Sequence, residues 1–540
     1  MLHSPRVRVL PAALGVIAYA VVSATPQSRT MDDPFAAFWS APTAAAAAEL
    51  VQTVAKSGIT FEDAYRRLSE GRAYGPQPTG VVRLTNRTAP GVDHNFILNV
   101  PESYDPARRY QVRIHLHGGV MGRADNRTVG AGTIGALAGA EQIYVIPYAW
   151  SASPWWSDDE VLELHDIVDA VRRRYNVDEN RVVLSGVSDG GTGAYYVAMR
   201  DTTPFAAFLP LNGFLMVLAN HDLQIDGPLF PNNLRNKPFF AVNGGRDPLY
   251  PTSIVDPYVA HLRSGGVSID YHPQPDAGHN TQWWPQVKDV FEQFVLEHPR
   301  SPLPDTLTWE TASGTADPGV LGAAAAPGWS RAHWLVIDRL GAQKNDADAN
   351  ALPDLNEEHR PPAPEFGART NGMHVFRVAP GSNAERIGLK PGDGVLRLND
   401  ESVGGYEDLD EALKNLKPGA DITLFVARDN LPVELRGRYE PQMAMPPPRQ
   451  LFDRGGPSGR VDLVRRGNTV EATTRGVAAF TLLLSPGQFD FARPVKVVVN
   501  GRTIIERRVT KDLRTLLKWA AADNDRTMLF AAELAIHLVR

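Results

Sequence analysis

The stretch Arg181-Val182-Val183-Leu184-Ser185-Gly186-Val187-Ser188-Asp189-Gly190-Gly191 decides how this chain is read. Its first four residues have the short apolar texture of a buried strand, and Thr192 to Arg200 after it read as a helix. Between them, Gly186-Val187-Ser188-Asp189-Gly190 fits the pattern Gly-x-Ser-x-Gly. In an arbitrary loop that pattern says little, because glycine and serine populate loops everywhere. At a strand-to-helix junction it says more. The glycines let the chain reverse sharply, the serine hydroxyl stands above the sheet, and the helix start leaves backbone N–H groups free beside it.

Outward from this point, Asn95 to Val100, Gln111 to Leu116, Ile143 to Pro147 and Phe239 to Asn243 are further strand-like runs. A helix over Glu160 to Tyr175 is expected from Val161, Leu164, Ile167, Val168 and Val171 at helical spacing. Strands alternating with helices imply an α/β unit over residues 81–300, built on a doubly wound, mostly parallel sheet.

A serine is a poor nucleophile until a base takes its proton, and the base needs an orienting acid. Asp247, in Gly244-Gly245-Arg246-Asp247-Pro248 past a strand end, is the expected acid, with Asp256 and Asp276 as alternatives. His279, in the loop before a helix at Gln286 to Glu297, is the expected base. Acyl transfer also needs N–H donors for the charge that develops on the carbonyl oxygen. Gly119 or Val120, after His117-Gly118-Gly119, is expected to supply one and Asp189 the other. Trp155, Trp156, Trp283 and Trp284 sit in loops near these positions, where they either shape a substrate pocket or pack the domain. His115 and His117 alternate along one strand without a nameable third ligand, so buried, hydrogen-bonded histidines are expected and neither metal nor cofactor.

Tyr175-Asn176-Val177-Asp178-Glu179-Asn180-Arg181-Val182 leading into the Ser188 turn, together with His117-Gly118-Gly119 and Gly278-His279, resembles the polyhydroxybutyrate-depolymerase and feruloyl-esterase-like branch of the α/β-hydrolases. The resemblance runs from about Val81 to Pro299 and implies ester hydrolysis through an acyl-enzyme on Ser188. Prolyl-oligopeptidase-type domains share the architecture and the order of the triad, so a serine peptidase stays open.

The chain has 540 residues, enough for two to four domains, with 43% hydrophobic and 21% charged residues, as in globular proteins. A net charge of -6 leaves no basic footprint for nucleic acid. With no cysteine there can be no disulfide, thiolate metal site or cysteine nucleophile. His3, Arg6 and Arg8 precede an apolar run to Ala24, which reads as a signal peptide over residues 1–24 and implies export to a periplasm or beyond, with a membrane anchor only if the segment is kept. Residues 25–80 read as a helical region.

After the α/β unit, strand-like runs over residues 303–340 and 458–540 suggest a β-sandwich-like domain. A different unit interrupts it over residues 364–440, bordered by Pro361-Pro362-Ala363-Pro364 and Pro446-Pro447-Pro448. Within it, Ala379 to Asn399, with Pro380-Gly381-Ser382 and Gly388-Leu389-Lys390-Pro391-Gly392-Asp393, resembles a bacterial PDZ domain. That resemblance implies binding of a peptide carboxyl terminus, with Phe366, Gly367 and Ala368 as the carboxylate loop and Leu409 and Leu413 facing the ligand. Three readings follow: an exported serine esterase acting on small or polymeric esters, a peptidase fed by the PDZ module, and a catalytically silent PDZ scaffold.

Overall fold

A computed structural model describes residues 33–88, 91–122, 141–223, 225, 229–312, 328–342, 352–359, 362–403, 408–446, 448–454 and 456–538. The expected signal segment, residues 1–24, lies outside them. Among the described residues no helix is long and apolar enough to cross a membrane.

An eight-stranded sheet carries the first half of the chain. Its strands are β1 (Gly80–Arg87), β2 (Asp93–Val100), β3 (Tyr110–Leu116), β4 (Ile143–Pro147), β5 (Val177–Val187), β6 (Ala207–Leu211), β7 (Phe239–Ala241) and β8 (Ile269–Tyr271), in spatial order β1-β2-β4-β3-β5-β6-β7-β8. The first two pairings, β1 with β2 and β2 with β4, are antiparallel, and every pairing from β4 to β8 is parallel. Strands β4 and β6 are buried along their whole length, as a sheet covered on both faces requires. This is the α/β-hydrolase fold.

Seven helices accompany the sheet among the described residues: α1 (Pro34–Trp39), α2 (Ala44–Ala55), α3 (Phe61–Glu70), α4 (Asp158–Arg174), α5 (Asp189–Arg200), α6 (Thr252–Ser264) and α7 (Trp284–Glu297). The Ser157 hydroxyl caps α4 by accepting from the Glu160 N–H. Its first turn is acidic and its last turn carries Arg172, Arg173 and Arg174, which matches the helix dipole at both ends. Helices α1 to α3 do not stand alone. Phe35, Phe38, Val54 and Leu68 share an apolar core with Leu516, Leu517 and Ala520 of a helix at Leu513–Asp523, near the other end of the chain.

The second half contains a sandwich of two sheets. One orders the strands Arg331–Ala332, Leu335–Leu340, Val477–Leu484 and Ala532–His537; the other orders Arg502–Arg507, Val495–Val499, Thr469–Arg475, Gly459–Arg466 and Thr306–Thr311. Trp309, Phe480, Val497 and Ile536 from both sheets form one buried cluster between them, together with Trp334 from the turn just ahead of Leu335–Leu340. The inserted module has its own six-stranded sheet and its own core, with Val375, Leu389, Val395, Leu424 and Val426 buried together. A stem of paired segments, Ala363–Glu365 with Gln442–Ala444 and Glu357–Glu358 with Arg449–Gln450, joins it to the rest. Asn356, fully buried, locks the base of this stem: its Nδ2 donates to Phe452 O at 2.9 Å and its Oδ1 accepts from Phe452 N at 2.9 Å. Leu355, Leu451 and Phe452 are buried in the core of the α/β body.

Candidate active site

Ser188 lies between β5 and α5 with φ 57° and ψ -118°, in the left-handed half of backbone space that a non-glycine residue adopts only when its surroundings impose it. The surroundings do so through two close approaches. A Cβ on Gly186 would lie 2.2 Å from Gly190 O, and one on Gly190 would lie 2.1 Å from Leu116 O. Only glycine fits at either position, so β5 and α5 come close enough to force the serine outward. The Ser188 N–H is tied to Leu211 O at 2.9 Å, which anchors the turn to β6.

The other two residues of the expected triad arrive from strand ends. Asp247 follows β7 and His279 precedes α7. Their loops meet backbone against backbone, because Gly244 has no Cβ: one there would sit 2.4 Å from Ala277 O. His279 Nε2 is 2.7 Å from Ser188 Oγ, and His279 Nδ1 is 2.7 Å from Asp247 Oδ2. The Asp247 side chain is fully buried, and its other oxygen accepts from Leu249 N at 2.8 Å and Tyr250 N at 3.0 Å. Both Asp247 oxygens thus accept from nitrogen donors, Leu249 and Tyr250 on one and His279 on the other. The Tyr250 ring meets His279 edge-on at 5.7 Å, and burial, with the charges of Asp189 and Asp247, pushes its phenol above the ordinary range. The alternative acids lie elsewhere: Asp256 accepts from the Tyr271 hydroxyl at the surface, and Asp276 pairs with Arg246 at 2.7 Å in solvent.

The loop after β3 passes directly against the serine. A Cβ on Gly118 would be 3.1 Å from Ser188 Cβ, and Gly119 has φ 73°. The expectation for Val120 is corrected here. Its N–H donates to Asp189 Oδ2 at 3.0 Å, so this group ties the loop to the start of α5 and does not point at a carbonyl oxygen. His117 holds the same loop from behind. The Ala149 N–H donates to His117 Nε2 at 3.1 Å, which makes that nitrogen an acceptor and places the proton on Nδ1, 2.9 Å from Gly118 O. Burial lowers the His117 pKa, in keeping with a neutral ring. His115 is likewise buried, 2.9 Å from Ser185 Oγ, and burial, then the nearby Arg113, lowers its pKa to about 3.

The tryptophans and the module's helix need correction too. Trp155, Trp156, Trp283 and Trp284 are all buried, the first with its Nε1 donating to His117 O at 2.7 Å and its Cβ resting where Gly193 leaves room. Trp283 and Trp284 pack with Phe240 and Phe291 under α7. All four are buried side chains that brace the loops carrying the site, which is the packing alternative. In the inserted module, Leu409 and Leu413 are buried in its core, since its helix at Asp408–Lys414 has only one apolar stripe and the small core takes it. Phe366 is buried beside Tyr439, and Gly367 has φ 89° where a Cβ would strike Ser382 Cβ at 2.1 Å. The strand after them, Ala368–Asn371, is outermost in its sheet.

What sequence reasoning missed is the carboxylate of Asp189, its tie to Val120, and the N–H cradle of Leu249 and Tyr250 around Asp247. No residue-level signal marks these, because each depends on where a backbone N–H points. Among the described residues no group of three or more histidine or acidic side chains is arranged to hold a metal ion.

Residues 343–436 match the PDZ domain family, a span that begins ahead of Pro364 and takes in the inserted module, so the chain combines an α/β-hydrolase fold with a PDZ domain. It is similar to a probable feruloyl esterase C of Aspergillus terreus (strain NIH 2624 / FGSC A1156), 27% identical over 155 residues, which cover 27% of this chain and 54% of that protein. It is also similar to serine protease HTRA1 of Xenopus tropicalis, 30% identical over 91 residues, 17% of this chain and 18% of that one. The chain thus spans about half the length of the first of these relatives and less of the second. Among solved structures, a thermostable esterase shares 22% identity over 41% of this chain and 63% of its own, with a TM-score of 0.34.

Proposed function

We propose that this protein is a serine hydrolase that cleaves carboxylic esters through an acyl-enzyme on Ser188. The observation that carries the reading is the chain of two 2.7 Å hydrogen bonds from Ser188 Oγ through His279 to the buried Asp247. His279 Nε2 takes the hydroxyl proton as Ser188 Oγ attacks the ester carbonyl, and Asp247 stabilises the imidazolium that results. The carbonyl oxygen gains its negative charge beside the backbone N–H groups of Asp189 and Gly119. His279 then gives its proton to the departing alcohol, and a water, deprotonated by the same nitrogen, releases the acid. The likeness to a feruloyl esterase favours an ester as substrate.

The PDZ domain, in this reading, takes up a peptide carboxyl terminus as an added strand along Ala368–Asn371, and residues 1–24 direct export. The test is fluorophosphonate labelling of wild type beside Ser188→Ala, followed by turnover of short p-nitrophenyl esters and of peptides ending in a chromogenic amide. Labelling and ester turnover that both vanish in Ser188→Ala support the proposal. Labelling with amide turnover alone points to a peptidase, and an unlabelled wild type points to a scaffold.

A further inference from the structure

Away from Ser188, at the seam between the α/β body and the sandwich, lies a cavity of about 330 Å³. Lys237-Pro238, just ahead of β7, and Ala206, just ahead of β6, line one side; Pro304 and His333 of the sandwich region line the other. These are the amino ends of parallel strands, whereas Ser188 stands past the carboxyl end of β5, so the cavity is on the opposite edge of the sheet. We propose that it is a binding site for a small anion bearing carboxylate or phosphate oxygens, held by Lys237.

Lys237 is only 5% exposed yet lines the open space. Among the described residues no hydrogen bond or ion pair to its amine is found. The two carboxylates whose charges act on it are committed elsewhere. Asp525 binds Arg300 at 2.6 Å, and Asp201 binds His165 at 3.0 Å. Burial, then the neighbouring Arg300, therefore hold the amine well below the usual lysine range, with Asp201 and Asp525 too weak to reverse it. A buried amine without a partner is costly, and a methionine or leucine would fill the same volume without that cost. The lysine is accounted for when an anion completes it.

The rest of the cavity suits such a ligand. Arg300, 4% exposed, adds positive potential at the floor while its own N–H groups are bound to Asn180, Thr203, Asp525 and Thr527. His333 sits at φ 50°, a backbone conformation its surroundings must enforce, and its Nδ1 donates to Pro302 O at 2.9 Å. That leaves Nε2 as an acceptor, suited to the P–OH of a hydrogen phosphate. The volume equals that of about ten liquid waters, which fits a phosphate or a small di- or tricarboxylate with its hydration. Ser268, Ser301 and Glu297 stand at the exposed mouth, where solvent screens the Glu297 charge. The inference does not depend on any role for Ser188.

The experiment titrates the full-length protein with inorganic phosphate and, separately, with citrate, at matched ionic strength. Thermal unfolding and calorimetry follow binding in wild type and in Lys237→Met. One or both anions should raise the wild-type melting temperature saturably, and Lys237→Met should weaken that binding at least tenfold while ester turnover stays unchanged. Which anion binds more tightly identifies the class. In parallel, reductive methylation of wild type, mapped by mass spectrometry, should show Lys237 protected by the stabilising anion; this arm needs no variant to fold. The proposal is overturned if neither anion gives a saturable rise, if Lys237→Met responds as wild type does, or if Lys237 methylates at the same rate with and without the anion.

Discussion

Asp247→Asn isolates the acid of the site without disturbing its shape. In the wild type one oxygen of Asp247 accepts from the Leu249 and Tyr250 N–H groups, and the other accepts from His279 Nδ1. An asparagine has a single carbonyl oxygen. The two backbone donors require it, so the amide NH2 must face His279. Nδ1 then has to accept, which forces the imidazole proton onto Nε2, where it confronts Ser188 Oγ and leaves no lone pair to receive the serine proton. Loss of the right tautomer, together with loss of the charge opposite the imidazolium, is expected to lower kcat by about 10⁴, or about 5 kcal/mol of transition-state stabilisation. Melting temperature should change little, because the substitution is isosteric and the Leu249 and Tyr250 N–H groups keep their acceptor. The assay is p-nitrophenyl butyrate hydrolysis with an active-site titration to count competent serines. Asp256→Asn and Asp276→Asn serve as controls and should stay near wild type, since both side chains lie outside the hydrogen-bond chain. Turnover by Asp247→Asn within about tenfold of wild type would refute the reasoning, whatever the controls do.

Three further outcomes are expected. Gly190→Ala places a methyl 2.1 Å from Leu116 O, a backbone atom that cannot step aside, and should cost on the order of 4–5 kcal/mol, seen as an insoluble or molten catalytic body. Stability should also fall as pH rises. His94 is buried with Nε2 2.8 Å from Asp159 and Nδ1 3.3 Å from Glu160; burial opposes its charge, but Glu160 and then Asp159 outweigh it and raise the pKa to about 9. Burial raises neighbouring Glu163 to about 9 as well. Both groups hold protons in the folded state that the unfolded chain releases, Glu163 from pH 4.5 and His94 from pH 6.5 upward. The melting temperature should therefore decline between pH 6.5 and 9, and His94→Asn should flatten the slope; a wild-type curve that rises over this window rejects the assignment. Finally, Leu413→Ala should destabilise the PDZ domain by about 2–4 kcal/mol, because the side chain is buried in that domain's separate core. Ester turnover should be spared, and limited proteolysis should show cleavage confined to residues 363–444.

The sequence already carried much of this protein. The strand, Gly-x-Ser-x-Gly and helix over residues 181–200 were legible because three local requirements coincide there: an apolar run, glycines at forced close approaches, and helical spacing. The glycine-rich PDZ turns were legible for the same reason. Strand β6 was not, since Ala207-Phe208-Leu209-Pro210-Leu211 carries a proline where a central strand should donate a hydrogen bond. The structure tolerates it because the Pro210 carbonyl still accepts from Val242 N at 3.2 Å while its missing N–H is simply one fewer bond in the ladder. The tandem tryptophans left a pocket and a packing reading open, as an aromatic pair in a loop has the same composition whether it faces a ligand or the back of a β-strand.

What the sequence determined by itself is therefore what neighbouring residues impose on one another: strand and helix spans, the strained serine, and strand ends that deliver an acid and a base to one edge of a sheet. Only the tertiary structure decided where long-range groups settle. It turned the Val120 N–H toward Asp189, joined α1–α3 to a helix some 450 residues later at Leu513–Asp523, and left Lys237 facing a cavity with no partner among the described residues. The physical reason is directional. A hydrogen bond or a buried charge depends on geometry fixed by distant segments, and a one-dimensional pattern records residue types but not the directions in which they point.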